Sequence, residues 1–364
     1  MTKGLNYFNN ILIILLLSTI SASCQEKIVD IEELQEHDGV FYRVNSKTPF
    51  TGKCTSYYQN GQLKIEGNLK NGLMHGDAKF YYENGQLEVE GTYIGGKENG
   101  VFKLYYEDGQ LMREETYIEG KKNGVYKSYY ENGQLEREET YIRGKENGVF
   151  KLYYEDGQLM REETYIEGKK NGVHKSYYEN GQLEREETYI GGKENGVYKS
   201  YHKNGQLVTE RIYKDGKLED GIYKSYYEDG QLMREETYIG GERNVVSKLY
   251  YKNGQLEYES TYKYGELEGI CKSYLENGQL KEEGTYIGGK KNGIFKYYDK
   301  NGLNKEKAYK NNKLEGMSKS YWPNGQLRFE DTYIGGKQNG VSKSYSCDGK
   351  LTNVAIFKDG KRER

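Results

Sequence analysis

Apolar and polar side chains alternate along most of this chain, and the alternation restarts at a fixed interval. From Val101 the order is Val, Phe, Lys, Leu, Tyr, Tyr, then Glu107-Asp108-Gly109-Gln110, then Leu, Met, Arg, Glu, Glu, Thr, Tyr, Ile, closing on Glu119-Gly120-Lys121-Lys122-Asn123-Gly124. Two Tyr-rich, period-two runs separated by Asp-Gly or Asn-Gly predict a β-hairpin. The turn glycines recur at Gly61, Gly85, Gly109, Gly133, Gly157, Gly181, Gly205, Gly230, Gly254, Gly278, Gly302, Gly325 and Gly349. Their spacing is 24 residues apart from two places with a visible cause. Leu218-Glu219-Asp220-Gly221 holds one more residue than Leu314-Glu315-Gly316, and Asn301-Gly302-Leu303 lacks the Gln that follows the turn glycine elsewhere.

A two-residue type I′ turn, with positive φ at both central residues, predicts a register. Glu107 then faces Gln110, Tyr106 faces Leu111, Tyr105 faces Met112, Leu104 faces Arg113 and Lys103 faces Glu114. The last pair recurs, for instance as Lys79 with Glu90, Lys127 with Glu138, Lys175 with Glu186 and Lys319 with Glu330. Directly opposed unlike charges each stabilise a strand pair by roughly 0.2 to 1 kcal/mol and resist slippage of register. One face is expected to carry Val101, Lys103, Tyr105, Met112, Glu114 and Thr116, the other Phe102, Leu104, Tyr106, Leu111, Arg113, Glu115 and Tyr117. Neither face is cleanly apolar, so a second layer is not required. The fold expected is all-β: an elongated single-layer antiparallel β-hairpin repeat array with a period of ~24 residues, on the order of 120 Å long if fully extended at about 4.8 Å per strand.

Composition agrees with a repeat array rather than with two globular domains. Apolar residues make up 35% against 30% charged, too polar for an ordinary two-layer core, while 40 Tyr are far too many for disorder. A formal net charge of −2 argues neither for nucleic acid nor for an anionic membrane surface, and no nucleic-acid partner is expected.

The ends read differently. Lys3, the apolar run Ile11 to Ile20 and Ser21-Ala22-Ser23-Cys24 form an export signal over residues 1–23. The same peptide resembles a bacterial lipoprotein signal, which implies acylation of Cys24 and anchoring to a membrane of the cell envelope through that lipid. Ordinary signal-peptidase cleavage before Cys24 is the alternative. Residues 24–38 read as an acidic tether and 39–364 as the array, with a terminal strand over Asn353 to Phe357 and a charged tail from Lys358 that guards the sheet edge. Cys54, Cys271 and Cys347 are too scattered for a disulfide framework or a CxxC metal site.

Catalytic signatures do not emerge. Gly95-Gly96-Lys97 belongs to no GxxxxGK[ST] motif and recurs between hairpins. His37, His75, His174 and His202 stand at non-equivalent places without partners at metal spacing. Carboxylate pairs such as Glu114-Glu115 recur in nearly every hairpin, whereas an active site needs one special constellation. No enzyme, cofactor or metal is expected. Tyr is an effective contact residue, but Tyr105, Tyr129 and Tyr153 are read as packing hairpin on hairpin. The positions that vary between repeats are the candidate binding surface: Phe102, Tyr126, Phe150, His174, Tyr198 and Tyr223, continued by Ser247, Cys271 and Phe295. Glu98 to Lys145 and Glu146 to Lys193 differ only at Tyr126 against His174 and Arg143 against Gly191, a recent duplication.

Asn71-Gly72-Leu73-Met74-His75-Gly76 followed by Tyr81-Tyr82-Glu83-Asn84-Gly85-Gln86-Leu87, with the opening Pro49-Phe50-Thr51-Gly52-Lys53, resembles the variant MORN repeats of bacterial proteins. The resemblance implies a hairpin array used as a scaffold or interaction surface. Some bacterial relatives are catalogued as antitoxins, and related repeats decorate eukaryotic phosphatidylinositol phosphate kinases, although Asn99-Gly100 stands where His-Gly is usual there. The function expected is a non-enzymatic cell-envelope scaffold for a protein or glycan partner. An antitoxin or immunity protein is the alternative, and a phosphatidylinositol-4-phosphate 5-kinase would be so in name only.

Overall fold

The computed structural model describes residues 28–363. The export signal and Cys24 lie outside the described residues. Strands account for nearly all of the regular structure, and the 3-10 turn Ile31–Glu33 is the one helical element among the described residues. The chain divides into two units, Met1–Asn99 with Glu107–Gly109, and Gly100–Tyr106 with Gln110–Arg364.

The first unit holds a small conventional core. Strand Ile28–Asp30 runs parallel to Gly52–Tyr57, with Val29 opposite Cys54. Asp30 caps the following 3-10 turn by accepting the Glu32 N–H at 3.0 Å. A short hairpin, Leu34–His37 against Val40–Arg43, comes next. Val29, Phe50, Cys54 and Leu69 are buried together, with Ile31, Leu34, Phe41 and Met74 packed around them. Residues 28–38 are therefore not the tether expected of them. Val29, Ile31 and Leu34, spaced among the acidic residues, plug this core.

In the second unit the long strands pair antiparallel with their neighbours in chain order, from Gly100–Tyr105 and Leu111–Ile118 through Lys121–Tyr129 and Leu135–Ile142 to Lys337–Tyr345 and Leu351–Lys358, and two-residue strands such as Lys145–Glu146 pair only with the strand before them. The turns depart from the two-residue type I′ expectation. At Glu131-Asn132-Gly133, the Gly133 N–H donates to the Tyr130 carbonyl at 2.9 Å and the Tyr130 N–H to the Gln134 carbonyl at 2.9 Å. Positive φ falls on Gly133, at 80°, and not on Asn132. This is a three-residue loop, a type I turn followed by a left-handed Gly.

The extra loop residue moves the register by one beside the turn, so Tyr129 faces Leu135 and Tyr105 faces Leu111, not Met112. A β-bulge moves it back: Ser128 faces Arg137 and Lys127 faces Glu138, while Leu104 faces Arg113 and Lys103 faces Glu114. The two shifts cancel, and the Lys–Glu pairs form where expected. They also continue from hairpin to hairpin, Glu114 facing Lys127 and Glu138 facing Lys151. Ion pairs along this ladder include Lys127–Glu138 at 3.6 Å, Lys199–Glu210 at 3.5 Å and Lys224–Glu235 at 3.7 Å.

The turn motif also ties repeat to repeat. Tyr130 donates its hydroxyl to the Tyr153 carbonyl at 2.7 Å, and Asn132 donates Nδ2 to the Glu155 carbonyl at 2.9 Å while its Oδ1 accepts the Gln134 N–H. The same bridges link Tyr178 to Tyr201 and Asn180 to Lys203. Where the sequence has Trp322, its indole N–H reaches the Tyr345 carbonyl at 3.0 Å.

Candidate interaction surface

Alternation along each strand sends successive side chains to opposite faces, and in the second unit the two faces differ in kind. One carries a row that crosses the strands through Phe102, Glu115, Tyr126, Glu139, Phe150, Glu163, His174, Glu187, Tyr198, Arg211, Tyr223 and Glu236. The pairings Phe102–Glu115, Glu115–Tyr126, Tyr126–Glu139, Phe150–Glu163 and His174–Glu187 set the order. Six of its members are the variable positions expected to form a binding surface. Four of them are withdrawn: Phe102, Phe150, His174 and Tyr223 are buried, and Tyr126 and Tyr198 are half-buried. That expectation is corrected. The row is the inner layer of the array, closed by side chains of its own sheet.

The closure has a repeated chemistry. Glu139, only 2% exposed, accepts the Tyr141 hydroxyl at 2.8 Å and Arg137 Nη2 at 2.7 Å. Glu163 accepts the Tyr165 hydroxyl at 2.7 Å and Lys170 Nζ at 3.0 Å, and His174 Nδ1 stands 3.7 Å away. Glu236 takes Arg243 at 2.9 Å. Burial opposes ionisation of Glu115, yet the Tyr117 hydroxyl, Lys122 and Arg113 together hold its carboxyl below the usual range. Burial likewise opposes ionisation of Glu163, but His174, Tyr165, Lys170 and Arg161 hold its carboxyl below the usual range. Burial, then the bond to Glu139, pushes the Tyr141 phenol up. Rings fill the gaps edge-on, as for Phe102 with Tyr117 at 5.5 Å, and the Arg137 guanidinium lies over Phe150 at 5.1 Å. These carboxylates are held by partners of their own sheet, which suits a polar core.

Departures from the repeat are compensated locally. Gly284 replaces the buried Glu where Phe295 fills the space, and a Cβ on it would meet the Phe295 ring at 2.3 Å. Lys291, left without that carboxylate, turns to Glu282 at 2.9 Å. His174, which replaces an aromatic, lies between Tyr165 and Tyr189 with ring centroids 6.0 and 4.8 Å away. Among the described residues no group of His, Cys, Asp and Glu could hold a metal ion, and none of His37, His75, His174 and His202 gathers ligands. Cys54 and Cys271 are buried and Cys347 exposed.

The opposite face is open. It carries the Lys–Glu ladder and, beside it, a strip of exposed aliphatic side chains. Val101, Val125, Val149 and Val173 are 42 to 46% exposed, and Ile118, Ile142, Ile166 and Ile190 are 49 to 59% exposed. Tyr residues flank the ladder, Tyr298 donating to Glu283 and Tyr321 to Glu306, each at 2.9 Å. Burial and these carboxylates push both phenols up to about 12. Sequence reasoning placed the ladder here but missed the strip, whose signal was Val or Ile recurring on the ladder side of every hairpin.

The model of the MORN repeat variant matches residues 50–71, 74–94, 98–119, 122–143, 146–167, 170–190, 194–215, 219–239, 243–264, 267–287 and 314–334. The chain belongs to the MORN repeat variant family. Each matched stretch spans one hairpin, starting at or just after one inter-hairpin turn and ending near the next, so the family unit is the hairpin described above. A search of curated proteins returns no match. Solved structures that match include TcdB2-TccC3, at 12% identity over 85% of this chain and 19% of that one with a TM-score of 0.16. The Photorhabdus luminescens Tc holotoxin pore matches at 12% identity over 89% of this chain and 20% of that one, with a TM-score of 0.17. The chain thus spans about a fifth of those structures, and at such scores the likeness carries no argument about function.

Proposed function

We propose that this MORN-repeat protein is a non-enzymatic scaffold, exported and held at the bacterial cell envelope by a lipid on Cys24, that presents the open face of its array to a protein partner. The observation that carries the reading is the contrast between faces. Carboxylates and rings that offer chemistry are locked in the inner row, and the residues left to solvent are a strip of Val and Ile beside alternating charges. Exposed aliphatic side chains that recur from hairpin to hairpin on one face favour an interaction site there. Aliphatic side chains favour a protein over a glycan, for which exposed aromatic platforms would be expected.

The anchoring part rests on Ser21-Ala22-Ser23-Cys24 after an apolar run. Metabolic labelling with a lipid analogue is expected for the natural chain and lost in Cys24→Ala; equal labelling of both contradicts anchoring. For the surface, Val149→Lys and Ile166→Lys together are expected to reduce recovery of envelope proteins by the purified chain at least tenfold, with melting unchanged. Retention of the same proteins by that variant contradicts it.

A further inference from the structure

The extra residue in Leu218-Glu219-Asp220-Gly221 has a consequence on the open face. Between successive hairpins elsewhere in the array, the inner row and the ladder both stay paired, as in Arg185 with Ser200 and Glu186 with Lys199. Between Leu207–Lys214 and Gly221–Tyr226 the pairing narrows to Thr209 with Ser225. The longer turn is held from the inner side, where Tyr223 donates to the Glu219 carbonyl at 2.8 Å and Thr209 to the Lys224 carbonyl at 2.9 Å. On the other side the strands part, and a crevice of about 250 Å³ opens among Leu207, Glu210, Ile212, Ile222, Lys224 and Tyr226, with Tyr223 also lining it.

The crevice interrupts the strip where it is most apolar. Ile212 stands where most repeats have Thr, and Ile222 is 63% exposed against 42 to 46% for Val101, Val125, Val149 and Val173. It also interrupts the ladder. Glu210 pairs backwards with Lys199 at 3.5 Å and Lys224 forwards with Glu235 at 3.7 Å, so the two flank the gap with opposite charges.

We propose that this crevice is a self-association site, at which a second copy of the chain docks its own open face through a two-fold axis along the strands. The reason is charge complementarity. Glu210 and Lys224, although paired within their own chain, keep side chains 49% exposed, so a partner complements this site by presenting aliphatic side chains at Ile222 and, beside them, a cation over Glu210 and an anion over Lys224. It must then keep alternating at the strand spacing of about 4.8 Å. The same face of a second copy, turned over, meets all three demands: Ile222 enters the partner's crevice, Lys224 meets Glu210 of the second copy, and the ladders continue out of phase. Such an interface has an apolar centre and a charged flank, the arrangement of stable interfaces, and is isologous. This goes beyond the scaffold reading, which concerns a different partner.

Sedimentation of the full chain tests it. The mass is expected to rise toward that of a dimer between about 1 and 100 µM. Ile222→Lys raises the dissociation constant at least tenfold without moving the melting temperature. Lys224→Glu weakens the dimer similarly, and adding Glu210→Lys restores it. A natural chain that stays monomeric throughout that range overturns the proposal, as does a dimer untouched by Ile222→Lys or a double charge exchange that fails to rescue. None of these outcomes bears on lipid labelling, whereas capture of envelope proteins, which uses the same face, is expected to compete with the dimer.

Discussion

Adjacent carboxylates in this protein do different work, and the difference is measurable residue by residue. Glu138 sits on the half-exposed ladder, with its side chain 37% exposed, whereas Glu139 next to it is 3% exposed and held by Arg137 and Tyr141. Removing one partner of a buried pair leaves the other uncompensated, and since the Arg137 side chain is 36% exposed the loss is about 1 to 3 kcal/mol, below that of a fully buried pair. Glu139→Ala is therefore expected to lower the midpoint of urea unfolding clearly. Glu138→Ala is expected to cost about 0.2 to 1 kcal/mol. Equal effects would refute the two-faced assignment.

Proton linkage works at the same scale. Glu115 and Glu163 are held below their ordinary values, so the stability they contribute is present above the unfolded value of about 4.3 and is lost as pH falls through their folded values. Glu146 runs the other way: burial, then Glu139, raises its carboxyl, which favours the folded chain as pH falls through that raised value. Stability should change little between about pH 7 and 5 and drop only below about 4.3. A fall already complete by pH 5 would contradict this picture of the inner row.

At the scale of the hairpin, departures from the repeat can be tested against their compensations. Gly284→Glu restores the residue that most repeats carry there, yet it is expected to destabilise by about 1 to 3 kcal/mol, because Phe295 occupies the space. Phe295→Ala in the same chain should recover part of that loss, read by thermal melting. The hairpin also shows what was legible in advance. Period, strand pairs, the Lys–Glu rungs and the separation of Lys103 from Phe102 followed from alternation and the Asn-Gly signal. The turn type did not, because Asn-Gly suits a two-residue loop and a three-residue loop alike, and the compensating bulge at Glu136 leaves no mark in the pattern. The burial of Phe150 and His174 was hidden because the row that covers them is charged. Variation among copies reflected alternative ways of filling an inner site, not contact with a partner.

For the molecule as a whole, nearest-neighbour pairing sets the behaviour. In the second unit the turn bridges run from one repeat to the next, as from Tyr130 to Tyr153 and Asn132 to Glu155, so repeats stabilise one another through adjacent interfaces. Deleting the second duplicated block, Glu146 to Lys193, should leave a folded chain with a smaller denaturant slope, since less surface is exposed on unfolding. The N-terminal core shows the limit of composition: acidic residues around Val29, Ile31 and Leu34 read as a tether, and only the pairing of Val29 with Cys54 turns that segment into part of a core.

The central claim is that one face is closed and the other open, and thiol labelling along a single strand tests it most directly. Cysteine placed in turn at Val149, Phe150, Lys151 and Leu152 of the full chain, read against the parent's background, should react in alternation, fast at Val149 and Lys151 and slowly at Phe150 and Leu152. Uniform reactivity along the strand, or fast labelling at Phe150, would contradict the account.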